Sequence, residues 1–446
     1  MLIGILSCIT AAVTVLTLYK FVYMVIGFFA KEKTFPETSR LHKYGIVIAA
    51  RNEEKVIGKL LDSIQAQDYD MSLVDVFVVA DNCTDKTAEI CRAHGANVYE
   101  RNDLKHARKG YALEFLFDRI DKDYGIERYD GYIVFDADNI LRTDFITEIN
   151  KAFDTGADIC LGYRNTKNFS ENCISAAYGI HFMRSSFFLH RPRTAIGVST
   201  HIAGTGWVVR SELLLGGWHC TSLTEDTQFT MDSIVSGHNI VFCEAAEFYD
   251  EQPHELSVAL RQRIRWIKGR LACFFSVAPK LIKGMVCSRG RRFSCYDMFF
   301  YLFPMGMFSF ICSTVPAAVD FVIGAASGKP FLASLRSAAD AAIIAIVFYW
   351  VYSVVTGALV MWRERSHIRC QFPRVIYLLA FWPWFDIVEL PLAIVSLFKH
   401  VTWKPIKHDR DLTLKEIEKN SSTLLTSCRK CDILTKPSRD GEERSE

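Results

Sequence analysis

Two aspartates, Asp136 and Asp138, directly follow the apolar run at 132–135. An apolar run closed by acidic side chains is typical of a buried strand that delivers them to the carboxyl end of a sheet. Because side chains alternate along a strand, both carboxylates point to the same side and can share one hard cation. A cation held there would neutralise the charge of a diphosphate. A single Asp after a strand is also a common helix N-cap, and the motif alone leaves that alternative open.

Strand and helix signals alternate around this pair, through much of the region 43–253. Apolar runs predict strands at 44–50, 74–80, 97–100, 132–135, 158–163 and 239–243. Periodic patterns predict helices at 53–67, 84–94, 106–121 and 144–153. The alternation predicts an α/β fold in which a mostly parallel sheet is covered on both faces.

Three of the predicted strands end in polar residues, at positions 51–53, 81–82 and 136–138. Ligands of parallel sheets bind beyond the carboxyl ends of the strands. We therefore expect these three polar clusters to meet at one edge of the sheet and to form a binding site.

A second acidic pair, Glu225 and Asp226, opens the helix predicted after Thr224. Acidic side chains are favourable at helix N-termini, so their position alone allows a purely structural role. A general base is the other chemistry that a carboxylate at this place can supply.

Gln262, Arg265 and Trp266 follow at the spacing i, i+3 and i+4, which places them on one helical face. A guanidinium can bind a phosphate group, and an indole offers a broad stacking surface. The surrounding segment 255–288 alternates basic and apolar residues, so an amphipathic helix at a membrane surface is an alternative. Trp266 alone would also fit an interfacial anchor.

Apolar residues are concentrated at the N-terminus and beyond residue 297, which is typical of a membrane protein with a soluble insert. The segment 2–30 predicts a retained transmembrane helix rather than a cleaved signal peptide. Three more apolar segments follow, at 298–325, 338–362 and 375–398. Pro383 and Asp386 make the last one poorly suited to a simple span, so we expect it to be broken or re-entrant.

These patterns divide the chain into five regions. They are an N-terminal transmembrane helix (1–31), the α/β domain (43–253), interfacial amphipathic helices (254–296), a C-terminal transmembrane region (297–400) and a polar tail (401–446) that we expect to be disordered from residue 420. The arginine-rich loop 363–374 fits the positive-inside rule when the α/β domain is cytosolic. We therefore predict an integral membrane protein whose α/β domain and tail both face the cytosol.

Other features point to no second chemistry. The chain has no Walker A loop and no G-x-G-x-x-G motif, so ATP and NAD chemistry are unsupported, and its basic residues form no nucleic-acid footprint. The 12 histidines show no metal-ligand spacing, and only His201, near Gly204, stands out, where a packed histidine would also fit. Cys428 and Cys431 have redox or metal spacing but no second pair nearby, so we expect an inert pair.

Taken in order, Asp81, the pair Asp136 and Asp138, Asp226 and the face 262–266 resemble the D, DxD, TED and QxxRW motifs of membrane-embedded family 2 glycosyltransferases. This group contains the cellulose, chitin, hyaluronan and poly-N-acetylglucosamine synthases. The order and spacing of the series make it specific.

Two further segments fit the same resemblance, which extends from residue 44 to about residue 268. The segment 109–113 is similar to the family's K-G-x-A-L sequence, and 204–207 is similar to its acceptor-side Gly-Thr motif. The apolar layout on both sides of the α/β region also resembles these enzymes.

The resemblance implies a GT-A fold and an inverting transfer of a sugar from a nucleotide sugar, most often a UDP-sugar. It implies donor binding by Arg51, Asn52, Glu53, Asp81, Lys109, Asp136, Gln262 and Arg265. It implies a metal ion, Mg²⁺ or Mn²⁺, on Asp136 and Asp138, catalysis by Asp226 as the general base beside Glu225, and acceptor binding by Gly204, Thr205, Trp207 and Trp266.

The expected function is extension of a β-linked polysaccharide at the membrane. The alternative is a single-sugar transfer to a membrane lipid, similar to ceramide glucosyltransferase. A catalytically inactive sugar-binding protein is disfavoured because every acidic position of the motif series is filled. Three or four membrane segments are few for a sugar channel, so a partner subunit or a homo-oligomer could complete one.

Overall fold

The computed structural model of the chain describes residues 2–287, 291–327, 331–368, 372–401 and 408–418. The tail from residue 420, including the Cys428 and Cys431 pair, lies outside the described residues.

Eight strands form one sheet. They are β1 (Tyr44–Ala50), β2 (Val74–Asp81), β3 (Asn97–Arg101), β4 (Gly131–Asp136), β5 (Ile140–Leu141), β6 (Ile159–Thr166), β7 (Trp207–Arg210) and β8 (Ile240–Asp250). Their order is β3-β2-β1-β4-β7-β6-β8-β5. Strands β3, β2, β1 and β4 are parallel, β6 and β8 are parallel, and β7 and β5 run antiparallel to their neighbours.

Helices cover this sheet and extend beyond it on both sides in the sequence. They are α1 (Leu2–Thr17), α2 (Tyr19–Phe29), α3 (Ile57–Gln65), α4 (Thr87–Ala93), α5 (Lys109–Tyr124), α6 (Phe145–Asp154), α7 (Cys173–Ser185), α8 (Arg191–Ala195), α9 (Glu225–Val235), α10 (Leu256–Cys287), α11 (Arg292–Leu302), α12 (Met305–Ala326), α13 (Phe331–Arg363), α14 (Phe372–Ile387) and α15 (Glu389–Phe398).

The central strand β1 is buried on both faces because helices pack on each side of the sheet. Val47 belongs to a core that includes Leu116 of α5, whereas Ile48 belongs to a second core that includes Leu60 of α3. Since successive residues serve two cores, the strand is a continuous apolar run rather than an alternating pattern. The predicted mostly parallel α/β fold is confirmed.

The structure also differs from the expectations in places. Strands β5 and β7 were not expected; they have two and four residues, which is too short to produce a periodic pattern. Helix α3 begins at Ile57 instead of residue 53, because the chain first forms a loop in which Asn52 adopts a left-handed backbone with φ 57°. Helix α7 and the π-helix that follows it, Ser186–His190, also lie where no element was expected.

Four segments in the described part of the chain are long and apolar enough to cross a membrane: Gly4–Phe29, Met305–Gly324, Ile343–Arg363 and Ile376–Phe398. The first is divided at Leu18 into α1 and α2, and the last is divided at Val388 into α14 and α15. The α/β domain lies in sequence between the first and second of these segments.

The described part of the tail, residues 408–418, packs against the α/β domain. Ile417 joins Ile140 and Tyr249 in a small buried cluster, and the backbone amides of residues 409 and 410 donate hydrogen bonds to Glu251 at 3.2 Å. This stretch of the tail therefore lies on the same side as the α/β domain of any membrane that the apolar helices cross.

Candidate active site

A cavity of about 310 Å³ lies at the carboxyl ends of β1, β2 and β4. We call this end the strand-end half; its polar lining includes Arg51, Glu53, Asp81, Lys109, Asp136 and Asp138. The cavity continues between α7, α9, α10 and α11 toward α14 and α15, and we call that end the membrane-side half. Its lining includes His181, Phe182, His201, Tyr301, Phe385 and Glu389.

A lysine at the first position of α5 contacts Asp136, the last residue of β4. Lys109 Nζ donates to Asp136 Oδ1 at 2.5 Å and to the carbonyl oxygen of Gly204 at 3.0 Å. Burial opposes the charge of Lys109, but Asp136 and Glu225 outweigh it and raise its pKa. Lys109 therefore remains a cation beside the carboxylates at neutral pH.

Asp138 is buried, and its Oδ2 accepts a hydrogen bond from the backbone amide of Glu251 at 3.1 Å. His408, from the tail, approaches the same oxygen with Nε2 at 3.9 Å and places Nδ1 3.0 Å from both oxygens of Glu53. Burial opposes protonation of His408, but Asp138 and Glu53 outweigh it and raise its pKa to about 10. A positive charge thus stands beside the strand-end carboxylates.

Asp81 ends β2 and is held by a buried ion pair. Arg101 Nη1 donates to its Oδ1 at 2.6 Å, and Asn82 Nδ2 donates to the same oxygen at 2.9 Å. Since Arg101 also contacts Asp103 at 3.1 Å, the carboxylate is fixed from the side of β3. Asp81 lines the cavity with its position set by these donors.

The acidic pair Glu225 and Asp226 forms the first turn of α9, and both residues line the cavity. Burial and the adjacent Asp226 raise the pKa of Glu225 to about 7. The Thr230 hydroxyl donates to the carbonyl oxygen of Asp226 at 2.8 Å and accepts from the amide of Ile202 at 3.0 Å, which ties this turn to the loop before β7. The first turn of α9 thus brings two carboxylates to the cavity wall.

The face of α10 that carries Gln262, Arg265 and Trp266 closes one side of the cavity. Arg265 Nη1 donates to the carbonyl oxygen of Leu223 at 3.0 Å, which holds the guanidinium beside the loop that leads to Asp226. Trp266 packs edge-on against Tyr178 of α7, with ring centroids 5.8 Å apart. The predicted helical face is therefore directed at the acidic pair.

Three buried polar atoms in the cavity wall have no hydrogen-bond partner among the described residues: Ser222 Oγ, Thr224 Oγ1 and Gln262 Oε1. Leaving such atoms unpaired costs about 1–3 kcal/mol each. They surround the Asp226 turn, so a ligand that supplies hydroxyl groups or amides at this place would recover that free energy.

Three of the predicted site residues do not line the cavity. Asn52 is exposed, and its Oδ1 accepts a hydrogen bond from the Thr84 amide at 2.8 Å, which shapes the loop. Thr205 is fully buried, where its hydroxyl accepts from the Asp136 amide at 2.8 Å. Trp207 is only 1% exposed and stacks on Trp218 in the domain core. The expected position in the binding site therefore differs for these three residues, whereas the other predicted residues line the cavity.

Several lining residues were not foreseen. His408 lies in a tail without periodic pattern, and nothing in its sequence surroundings signals a site. Arg164 donates through Nε to Asp250 at 2.7 Å and reaches the cavity from β6. The membrane-side lining comes from segments separated by up to about 200 positions in the sequence, for example His181 and Glu389. Only His201 had a signal, its proximity to Gly204.

Asp136, Asp138 and Glu53 line the strand-end half with carboxylate oxygens, which are the ligands that Mg²⁺ and Mn²⁺ prefer. His408 lies beside two of these residues, with its ring nitrogens 3.0 Å from Glu53 and 3.9 Å from Asp138. Elsewhere among the described residues, Glu244, Glu364 and His367 bring metal-ligand atoms within 4.8 Å of one another. Arg191 already pairs with both glutamates of that group, which lies outside the cavity lining.

A sequence model described as "Glycosyltransferase like family 2" matches residues 42–269, half of the chain. The chain therefore belongs to this glycosyltransferase family, and it is an enzyme of the sugar-transferring class. The match covers the α/β domain and the start of α10.

Two curated relatives illustrate the range of the family. The chain is 25% identical over 264 residues to the β-monoglucosyldiacylglycerol synthase of Nostoc sp., covering 58% of this chain and 55% of that synthase. It is 26% identical over 333 residues to the UDP-forming cellulose synthase catalytic subunit of Pseudomonas fluorescens, covering 72% of this chain and 42% of that subunit. The chain thus spans about half the length of each of these relatives.

Among solved structures, the mannosyltransferase PcManGT of Pyrobaculum calidifontis, in complex with GDP-Man and Mn²⁺, superposes with a TM-score of 0.55. The two chains are 16% identical, and the match covers 89% of this chain and 99% of the mannosyltransferase. The likeness confirms the GT-A-like α/β fold.

Proposed function

We propose that the protein transfers a sugar from a nucleoside diphosphate sugar to an acceptor hydroxyl with inversion at the anomeric carbon. The donor that we propose is a UDP-sugar. The observation that carries the proposal is the convergence on one cavity of the strand-end carboxylates, the Asp226 turn and the α10 face. These groups come from three separate parts of the chain. Together they supply the three groups that the reaction needs: an anion-binding end, a base and a cationic side chain.

Inversion in one step needs no covalent nucleophile, because the acceptor oxygen attacks as the nucleotide leaves. A base must take the acceptor proton, and we assign this role to Asp226, which lines the cavity. Burial and Asp226 raise the pKa of Glu225 to about 7, so the two neighbouring carboxylates oppose each other's charge. We assign Asp226 as the base because it occupies the D position of the TED motif.

Departure of the nucleoside diphosphate requires positive charge next to the leaving oxygens. Lys109 and Arg265, which both line the cavity, can supply part of it. A bound Mg²⁺ or Mn²⁺ on Asp136 and Asp138 would supply Lewis-acid stabilisation of the diphosphate. Asp81, Glu53 and Arg51 complete the nucleotide end of the site.

For the acceptor, a growing β-linked polysaccharide is supported by the QxxRW face, where Trp266 can stack on a sugar ring. A membrane lipid is the second candidate. It is supported by the span Met305–Gly324, most of whose side chains are partly or fully exposed in one copy of the chain. An enclosed sugar path would need a partner subunit or a second copy to cover that span.

The orientation that we propose places the α/β domain in the cytosol, where nucleotide sugars are available. The four apolar segments then anchor the enzyme in the membrane. The tail contacts through His408 and Ile417 are compatible with this arrangement, because they keep the tail beside the α/β domain.

The test is a transfer assay on membranes that contain the protein, with a panel of radiolabelled nucleotide sugars and Mg²⁺ or Mn²⁺. Asp226→Asn should lower transfer by about 100- to 10,000-fold and leave UDP affinity unchanged, because it removes only the base. Asp232→Asn is the matched control on the same helix, since Asp232 pairs with Lys280 outside the cavity lining. Normal turnover in the Asp226 variant would refute the assignment.

The same assay separates the acceptors. High-mass product would support polysaccharide synthesis, and a product that extracts with lipid and carries one added sugar would support the second candidate. Donor binding without turnover under every condition would support the alternative of a catalytically inactive sugar-binding protein.

A further inference from the structure

His201 is a buried titratable side chain that the proposed reaction does not use. It is 5% exposed, and it lines the cavity on the loop between α8 and β7. The adjacent amide, that of Ile202, bonds to Thr230, one turn beyond Asp226. His201 is thus fixed relative to the proposed base.

A chain of hydrogen bonds holds the imidazole. Arg193 Nη1 lies 2.8 Å from His201 Nδ1, and the same guanidinium donates to Asp297 at 2.7 and 3.1 Å. Asp297 accepts in turn from the hydroxyls of Tyr19 and Tyr23 in the N-terminal apolar helix, each at 2.9 Å. Every member of this chain has a defined partner, so the ring is not free to turn.

This chain also sets the tautomer. A guanidinium only donates hydrogen bonds, so Nδ1 of His201 must accept, and the ring proton is on Nε2. Burial, with His190 and Arg193 nearby, lowers the pKa of His201 well below its ordinary value, which keeps the ring neutral. No described residue accepts a hydrogen bond from Nε2.

The ring plane is fixed as well. His201 lies between His190 and Tyr301, with ring centroids 4.4 and 4.2 Å away. The polar wall continues beyond Tyr301, because Arg270 and Glu389 pair at 2.6 Å and also line the cavity. The membrane-side half is therefore lined by a polar group, His201, Tyr301, Arg270 and Glu389, and by the aromatic side chains Phe182 and Phe385. A guanidinium lies over each aromatic ring, Arg164 over Phe182 at 3.9 Å and Arg263 over Phe385 at 4.1 Å.

We propose that His201 binds the acceptor, donating a hydrogen bond from Nε2–H to an uncharged oxygen next to the hydroxyl that is glycosylated. The acceptor class that fits is a polyol or sugar headgroup, whose several oxygens match the several polar side chains beside His201. An apolar molecule with a single hydroxyl would leave most of these polar side chains without a hydrogen-bond partner on the ligand. The inference rests on the proposed function only in taking the membrane-side half as the acceptor end.

The test uses the full chain in lipid nanodiscs with UDP and Mn²⁺, and it measures binding, not turnover. Saturation-transfer NMR titrations compare methyl β-D-glucopyranoside, methyl N-acetyl-β-D-glucosaminide and glycerol with cyclohexylmethanol, which has one hydroxyl. The wild-type protein should bind at least one of the polyols more tightly than cyclohexylmethanol. Equal or tighter binding of cyclohexylmethanol, or no polyol binding, would overturn the proposed acceptor class.

Two variants then isolate the Nε2 donor. The amide of asparagine reaches the position of Nδ1, so His201→Asn keeps a partner for Arg193 but removes the donor; polyol affinity should fall about 5- to 10-fold. The amide of glutamine reaches the position of Nε2, so His201→Gln should retain most of the affinity although it loses the Arg193 contact. UDP affinity and melting temperature check that both variants are folded.

A purely structural role predicts the reverse order, because His201→Gln is the variant that disrupts the Arg193 contact. That order, or unchanged binding in His201→Asn, would overturn the proposal. His190→Asn and His190→Gln are matched controls: His190 stacks on His201 and bonds to Thr200 at 2.6 Å, but it does not line the cavity. Failure of sugar transfer in the earlier assay would not affect these measurements, so the two proposals fail separately.

Discussion

The strand-end half of the cavity is built from the ends of β1, β2 and β4, whereas the membrane-side half is built from α7, α10, α11, α14 and α15. In the first, most charged groups are paired within short distances, as Lys109 with Asp136 and Arg101 with Asp81. The second also holds an ion pair, Arg270 with Glu389, but it adds the aromatic side chains Phe182 and Phe385 and the unused donor of His201. We propose from this difference in lining that the first half binds the charged nucleotide and the second the uncharged acceptor.

The largest expected effect tests the strand-end half. Asp138→Asn should weaken metal-dependent nucleotide binding on the order of 1000-fold, because it removes a carboxylate charge from the proposed metal site. Calorimetric titration of UDP with and without Mn²⁺ measures it, and Asp118→Asn, on the exposed face of α5, is the control. If the affinity for polyols falls instead, the division into two halves is wrong.

The second prediction concerns the turn between the halves. The pKa of Glu225 is raised to about 7 from an ordinary value of 4.5, so the folded state loses stability as the pH rises from about 4.5 through 7. Glu225→Gln is neutral at every pH and should gain stability relative to the wild type over that window, by up to about 3 kcal/mol above pH 7. Thermal unfolding of the metal-free protein at pH 5 and 8 measures the gain. A gain that is the same at both pH values would contradict the raised pKa.

The third prediction tests the border with the membrane-side half. Trp266→Ala should lower acceptor affinity about tenfold, because the stacking surface is lost, and should leave UDP affinity unchanged. Trp266→Phe should retain part of the acceptor affinity, because the phenyl ring keeps part of the stacking surface. Equal losses of nucleotide affinity and acceptor affinity would show that the indole contributes to both halves of the cavity, which would contradict their separate roles.

The smallest expected effect comes from the tail. His408 places a positive charge 3.9 Å from Asp138, so it competes with a metal for the same carboxylates. His408→Ala should tighten Mn²⁺ binding about three- to fivefold in the absence of nucleotide. Lys415→Ala, further along the tail, serves as the control. Weaker metal binding would mean that His408 supports the site directly.

The two halves also differ in how far they could be predicted. The strand-end residues lie in short local motifs after apolar runs, and Asp81, Asp136 and Asp138 all reach the cavity as expected. Local patterns carry this information because strand ends of a parallel sheet meet at one edge. Asn52, Thr205 and Trp207 belong to the same motifs but face the loop or the core, since a motif does not specify which way each side chain turns.

The membrane-side half could not be predicted, for a physical reason. Segments far apart in the sequence must pack together before its lining residues, such as His181, Tyr301 and Glu389, become neighbours. No periodic pattern within one stretch of sequence reflects that packing. His408 is the extreme case, because it reaches Glu53 across 355 positions of the chain.

The sequence by itself determined the α/β class, the apolar segments and the family motifs, because burial period and side-chain chemistry are local properties. Tertiary structure alone decided which motif residues face the cavity, how the tail meets the strand ends, and that Arg193 fixes the tautomer of His201. Those outcomes depend on packing and on hydrogen bonds between distant segments, which have no signature in any one stretch of the chain.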